Sequence, residues 1–177
     1  KSTHTGLLVN LGNALHHEGE SDAALSCLSQ ALEASPNSIA IRRNLGNTLR
    51  TLGYLSAAED MLQGALERAP NDANAQVLLA FCKFAQGEFD AAWDAYVHRW
   101  RSDDHEPARH YEAPHWAGQS LAGKRLLIWG EQAVGDELMF ATMYDEIANM
   151  ASDIHVETEF RLLPLFQRSF PQFKIYA

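Results

Sequence analysis

Over its first hundred residues the chain places apolar side chains at helical spacing, and small residues recur among them at one fixed offset. Gly12 returns as Gly46, and Gly19 as Gly53 and Gly87; Ala24 returns as Ala58 and Ala92, Ala31 as Ala65, and Pro36 as Pro70, always 34 residues on. Leu11, Leu45 and Leu79 share one place in this register, and Leu28, Leu62 and Tyr96 another. Self-similarity at such a period marks supersecondary units that bury their apolar faces by stacking. The pattern predicts helices over 5–18, 21–34, 39–52, 55–68, 73–86 and 89–101, joined as three hairpins spanning 5–38, 39–72 and 73–101. Gly12 and Gly46 fall inside helices, where glycine costs about 1 kcal/mol against alanine, so close packing of a facing helix is expected there. Gly19, Gly53 and Gly87 fit left-handed helix ends, and Pro36 and Pro70 stop the second helix of each pair.

The third copy departs from the pattern. Its in-helix glycine is Ala80, its later alanine and proline places hold Arg99 and Asp104, and aromatics gather at Phe81, Phe84, Phe89, Trp93, Tyr96 and Trp100. Terminal units of stacked arrays are atypical because one face meets something other than a further unit. Two readings fit these rings, a face docked on the C-terminal segment or ordinary core packing. Helical period is lost over 102–122, a linker, and from Gly123 the pattern turns strand-like. Strands are predicted at 125–129, 154–158 and 173–176, with helices over 136–150 and 161–169 between them. That order, β-α-β-α-β over 123–177, is the first half of a Rossmann-like, doubly wound parallel sheet. The expected fold class is therefore α followed by α/β.

The 34-residue register resembles that of tetratricopeptide repeats. The resemblance implies a curved array of hairpins in which the first helix of each pair lines a concave groove. Groove candidates are then Asn10, Asn13, His16 and His17 in the first unit, with Arg43, Asn44, Asn47 and Arg50 in the second. Asn10 and Asn44 hold equivalent places, as do Asn13 and Asn47. Asparagine carries both donors and acceptors, so such a ladder can pair with the backbone of a protein segment or extended peptide, and the arginines can attract a carboxylate. The same asparagines can instead bond between neighbouring units, leaving the arginines merely solvated.

Composition narrows the partners. The 177 residues carry 14 Lys+Arg against 23 Asp+Glu, a net charge of −9, which repels nucleic-acid phosphates and anionic lipid. No apolar run approaches the roughly 18–20 residues that span a bilayer, so neither nucleic acid nor membrane is expected as a partner. Cys27 and Cys82 lie in different predicted helices at different places in the register, which suits small core residues of a reducing, cytoplasmic compartment. A chain opening at Lys1 without Met reads as a piece of a longer one. The linker carries His105, His110 and His115 among Asp103, Asp104, Glu106 and Glu112, yet the spacing matches no closed ligand set and no metal is expected.

In a doubly wound sheet ligands sit beyond the carboxyl ends of the strands, which singles out the loop from Gly130 to Asp136. Gly130 and Gly135 allow tight turning and close approach, Glu131 is acidic, and Asp136 suits either a helix N-cap or contact with a ligand. The loop lacks the G-x-G-x-x-G of a dinucleotide site and the lysine of a P-loop. Hairpin repeats followed by YEAPHWAGQSLAGKRLLIWGEQAVGDELMFA, residues 111–141, resemble bacterial repeat proteins with a C-terminal GT-B glycosyltransferase-like domain. Those are similar in turn to O-linked N-acetylglucosamine transferases and heptosyltransferases. The resemblance implies an acceptor-side loop built by Gly130, Glu131 and Gly135, and Asp136 as the base that deprotonates an acceptor hydroxyl. It also implies a nucleotide sugar as donor for the whole transferase, with no cofactor in this chain and no turnover by it alone. The alternative is a non-enzymatic interaction module whose C-terminal sheet is vestigial or dimerises through its open edge.

Overall fold

The computed structural model describes residues 2–103 and 109–177, with the side chains of residues 2 and 3 excepted. The expectations placed on Asp104, His105 and Glu106 lie outside these residues. The chain forms two compact units, Lys1–Ala108 and Arg109–Ala177.

Among its described residues the first unit contains six helices, α1 (Ser2–His17), α2 (Ser21–Ala34), α3 (Ile39–Thr51), α4 (Leu55–Leu66), α5 (Ala73–Gln86) and α6 (Phe89–Tyr96), then a 3-10 helix, η1 (Val97–Arg101). They pack as antiparallel hairpins α1–α2, α3–α4 and α5–α6. The small residues act as their register suggests. A Cβ added to Gly12 would stand 2.7 Å from Leu28 Cγ, and one added to Gly46 would stand 2.8 Å from Leu62 Cγ. Both leucines are fully buried, along with Ala24, Ala31, Ala58 and Ala65 of the facing helices. Gly19, Gly53 and Gly87 have φ of +84°, +82° and +80°, the left-handed conformation that ends the first helix of each pair. Ser38 caps α3 by accepting from the Ile41 N–H, and Asp72, one register later, caps α5 by accepting from that of Ala75.

The Pro36 and Pro70 turns are held in a way the sequence does not announce. Arg42 donates twice to the Pro36 carbonyl at 2.9 and 3.2 Å, and Gln76, its equivalent, donates to that of Pro70 at 2.8 Å. The sixth helix is shorter than its predicted span, tightening to 3-10 geometry after Tyr96. Where the earlier copies have Ala31 and Ala65, this one has Arg99, which stacks on Tyr96 and Trp100 at 4.6 and 4.1 Å. A side chain of that size cannot follow the close approach that alanine permits in the earlier copies.

The second unit holds a parallel sheet of β1 (Arg125–Trp129), β2 (Asp153–Glu157) and β3 (Lys174–Tyr176), in the order β1-β2-β3. Leu126 pairs with Ile154 and Val156 with Ile175. The predicted helix over 136–150 is two, α7 (Val134–Ala141) and α8 (Tyr144–Ile147). At the break the Thr142 hydroxyl donates to the Met139 carbonyl at 2.7 Å, and the amides of Thr142 and Met143 bond three residues back. The helix α9 (Leu163–Ser169) carries Pro164 in its first turn. Ala141, Tyr144, Leu162, Phe166 and Phe173 form one core with Ile154, Val156 and Ile175. The alternate side chains of the strands carry Leu127, Trp129 and Tyr176 beside the polar groups Asp153, His155 and Glu157. Leu127 is 41% and Tyr176 50% exposed, unlike the both-sides burial usual for parallel strands.

Candidate functional site

In the first unit α3 packs on both α1 and α5, which sets the first helices of the hairpins in one row. On this row the asparagines bond across the junction of the first two hairpins. Asn44 Nδ2 donates to Asn13 Oδ1 at 2.8 Å, and Asn47 Nδ2 meets His16 Nε2 at 3.1 Å. The ring's Nδ1 lies 3.4 Å from the buried Thr48 hydroxyl. Burial holds the His16 pKa below its ordinary value, helped by the neighbouring His17 and Arg50. A neutral ring with Nε2 unprotonated can accept from the Asn47 amide. Asn10 stands exposed, lining a cleft of about 590 Å³ with Val9, Ser38 and Ile41. His17 is exposed at the end of α1.

The two arginines differ. Arg43 is engaged, its Nη1 lying 3.2 Å from Asp72 Oδ2, so its charge is matched within the fold. Arg50 donates to Asn47 Oδ1 at 2.9 Å and rests over the Phe81 ring at 5.6 Å, but meets no carboxylate among the described residues; its Nε is buried without a hydrogen-bond partner there. Phe81 is the third-unit equivalent of Asn13 and Asn47, Leu78 of Asn10 and Asn44, and Phe84 of His16 and Arg50. The row therefore passes from amides, through one uncompensated guanidinium, to an apolar end where Phe84 meets Trp93 edge-on at 4.8 Å. The residues that hold the row in place, Asp72 and Thr48, escaped the sequence reading. The legible signal for Asp72 was its place before a predicted helix, equivalent to Ser38.

In the second unit the loop after β1 carries the other candidate residues. Gly130 donates its N–H to the Glu157 carbonyl at 3.0 Å, continuing the pairing of β1 with β2. A Cβ there would stand 2.6 Å from the Glu137 carboxyl group. Glu137 in turn accepts from the Thr158 hydroxyl and from the Glu159 amide, the latter at 3.2 Å, so it ties α7 to the end of β2. The glycine is thus required by a neighbouring carboxylate, and the sequence had not given Glu137 that part. Gly135 lies within α7, without positive φ, and a Cβ there would meet nothing within 4 Å. The tight turn expected of it falls instead on Gln132, at φ +68°. Glu131 is half-buried beside it. Asp136 is not the helix cap; Ala133 is, and Asp136 sits three residues on, its Oδ2 accepting from the Ala133 N–H at 3.3 Å. One carboxylate oxygen thus serves the helix start.

Among the described residues no three His, Cys, Asp or Glu side chains gather as a metal site, and no helix is long and apolar enough to cross a membrane. The thiols of Cys27 and Cys82 are unpaired; burial pushes that of Cys82 up to about 11.

Comparison with known proteins places the first unit. A family profile described as Tetratricopeptide repeat matches residues 15–76 and 49–108. Protein FlbA of Caulobacter vibrioides is 38% identical over 110 residues, which make up 59% of this chain; the match spans 17% of that protein's length. Among solved structures, the first such domain of Spaghetti (RPAP3), bound to the HSP90 peptide SRMEEVD, superposes with a TM-score of 0.52 at 20% identity. That match covers 55% of this chain and 78% of the other. A crystal structure of MamA gives a TM-score of 0.50 at 26% identity, covering 53% of this chain and 55% of that one.

Proposed function

The chain belongs to the tetratricopeptide repeat family, and from that premise we propose that it is a scaffold whose row of first helices binds an extended segment of another protein. One observation carries this reading: the amides of Asn13, Asn44 and Asn47 are fixed by bonds across the hairpins yet keep bonding capacity to spare. Each carboxamide has two donors and two acceptor lone pairs, and the bond between Asn13 and Asn44 uses one donor of Asn44 and one lone pair of Asn13. The interhelical bonds therefore preorganise the row, which lowers the ordering cost when a peptide backbone arrives. The two uses of the asparagines are compatible. Arg50 supplies the unmatched positive charge, so the favoured segment carries a carboxylate there, with apolar side chains directed to Leu78 and Phe81. The likeness of fold to a domain solved with an acidic peptide is in keeping with this reading.

The test is selection of peptides on the immobilised chain, followed by titration of the selected sequences. Acidic residues should be enriched, and Arg50→Ala should weaken binding about tenfold or more, the worth of a charged hydrogen bond. Peptides bound as tightly by Arg50→Ala and by Asn44→Ala as by the parent chain would refute the groove.

A second reading is kept for the second unit. Its parallel strands in the order β1-β2-β3, with the Gly130–Asp136 loop beyond β1, support its being part of a nucleotide-sugar-dependent glycosyltransferase of GT-B type. Asp136 would serve as base through the carboxylate oxygen not turned to Ala133, and the repeats would present the acceptor protein. Sugar transfer by the whole protein, abolished in Asp136→Asn with peptide capture intact, is the expected result; transfer undiminished in that variant removes the assignment.

A further inference from the structure

The second unit holds a cleft that neither reading uses. It measures about 340 Å³ and lies between β1 and the segment that precedes it. Small-molecule sites begin at about 300 Å³. Its walls are aromatic, from Tyr111, Trp116 and Trp129, with Leu127 between them. Lys124 and Arg125 also line it, and neither has a carboxylate partner among the described residues.

These groups are held in place by bonds that leave their ligand-facing parts open. The Trp116 indole N–H donates to the Gln119 carbonyl at 2.7 Å, and Gln119 Oε1 accepts from the Ala117 N–H at 2.8 Å, closing a corner around Gly118. The ring is thereby fixed while 42% of the residue stays exposed. Trp129 is braced by Tyr111 at 6.0 Å and Arg109 at 5.5 Å. Both of those also bond Glu157, so the charge of Arg109 is already matched. The backbone of Lys124 is tied on both sides, its N–H to the Leu121 carbonyl and its own carbonyl to the Ser152 amide and hydroxyl. Its ammonium group and the Arg125 guanidinium remain uncommitted, in a chain whose net charge is −9.

We infer that this cleft binds a small organic anion, a flat ring seated on the tryptophans with its phosphate or carboxylate on Lys124 and Arg125. Aromatic walls reward a planar face, and two uncompensated cations reward a negative group. The site is independent of the peptide groove, since every residue in it belongs to the second unit.

Calorimetric titration of the chain tests this, with adenosine 5′-monophosphate, adenosine and inorganic phosphate as probes. The ring and the anion should act together: the nucleotide binds saturably, and adenosine or phosphate alone binds at least about tenfold more weakly. Lys124→Gln combined with Arg125→Gln, both exposed positions, should remove the advantage of the nucleotide over adenosine. Trp116→Phe, which keeps a flat face but loses the bond to Gln119, should weaken binding, and Trp116→Ala should lose it with the circular dichroism unchanged. No saturable heat with the nucleotide at millimolar concentration overturns the inference, as does nucleotide binding that ignores the two cations. Phosphate binding as tightly as the nucleotide would overturn the part given to the rings.

Discussion

At the scale of single residues, the glycines of the first helices matter for the space they leave. Alanine at Gly46 would gain up to about 1 kcal/mol of helix propensity, but its Cβ would press on Leu62 Cγ at 2.8 Å and on the Ala58 carbonyl at 3.3 Å. Overpacking of that kind costs about 1–3 kcal/mol, so Gly46→Ala should lower the unfolding free energy by about 1–2 kcal/mol in urea titrations. His16 gives a second expectation. Its folded pKa lies below the ordinary 6.5, so the unfolded chain takes up its proton more readily. The associated stability is complete above pH 6.5 and declines as the pH falls from there toward the folded pKa. Stability measured between pH 7.5 and 5.5, limits chosen to bracket that value, should fall less steeply in His16→Gln; an identical slope would contradict the assignment. Cys82 is buried with its thiol held protonated, so alkylation should wait for unfolding.

At the scale of elements, the sequence was legible wherever one physical requirement governed one position. The six helices of the described first unit, the left-handed ends of three of them and three strands could be read from small residues, glycines and short apolar runs, because each reports local packing or backbone conformation. The ends that moved were set by competing interactions that no period reveals. Arg99 stands where α6 closes in 3-10 geometry, and the Thr142 hydroxyl bonds the Met139 carbonyl where the helix breaks after Ala141. The loop beyond β1 shows the same competition: its glycine at 130 makes room for Glu137, and its left-handed residue is a glutamine. Asp72 shows how much one unforeseen side chain can hold, since it caps α5 and pairs with Arg43. Asp72→Ala should cost about 1–2 kcal/mol from the cap, with less than about 1 kcal/mol more from the partly exposed ion pair. Asp72→Asn, which keeps the cap, should recover most of the loss in thermal melts.

At the scale of the molecule, the family was legible because its period repeats, whereas the groove's character was only half so. Positions on one row could be named from the register, but whether an asparagine faces its neighbour or a visitor depends on distances that no sequence prints. The two junctions of the array turn out to be built from different materials. Between the first and second hairpins the inner seam is neutral, made of Asn13 with Asn44 and His16 with Asn47. Between the second and third hairpins the contacts are charged: Arg43 with Asp72 and Arg50 over Phe81 on the inner row, and Lys83 of α5 with Glu59 of α4 behind it. Dissolved ions weaken charged contacts far more than amide bonds, over a Debye length that shrinks from ~10 Å at 0.1 M to ~3 Å at 1 M. Raising ionic strength should therefore make the array fray from its third hairpin, with amide exchange quickening in α5 and α6 before α1 and α2. The scaffold would thus respond to its electrolyte at one end only, and it is the end that carries the rings.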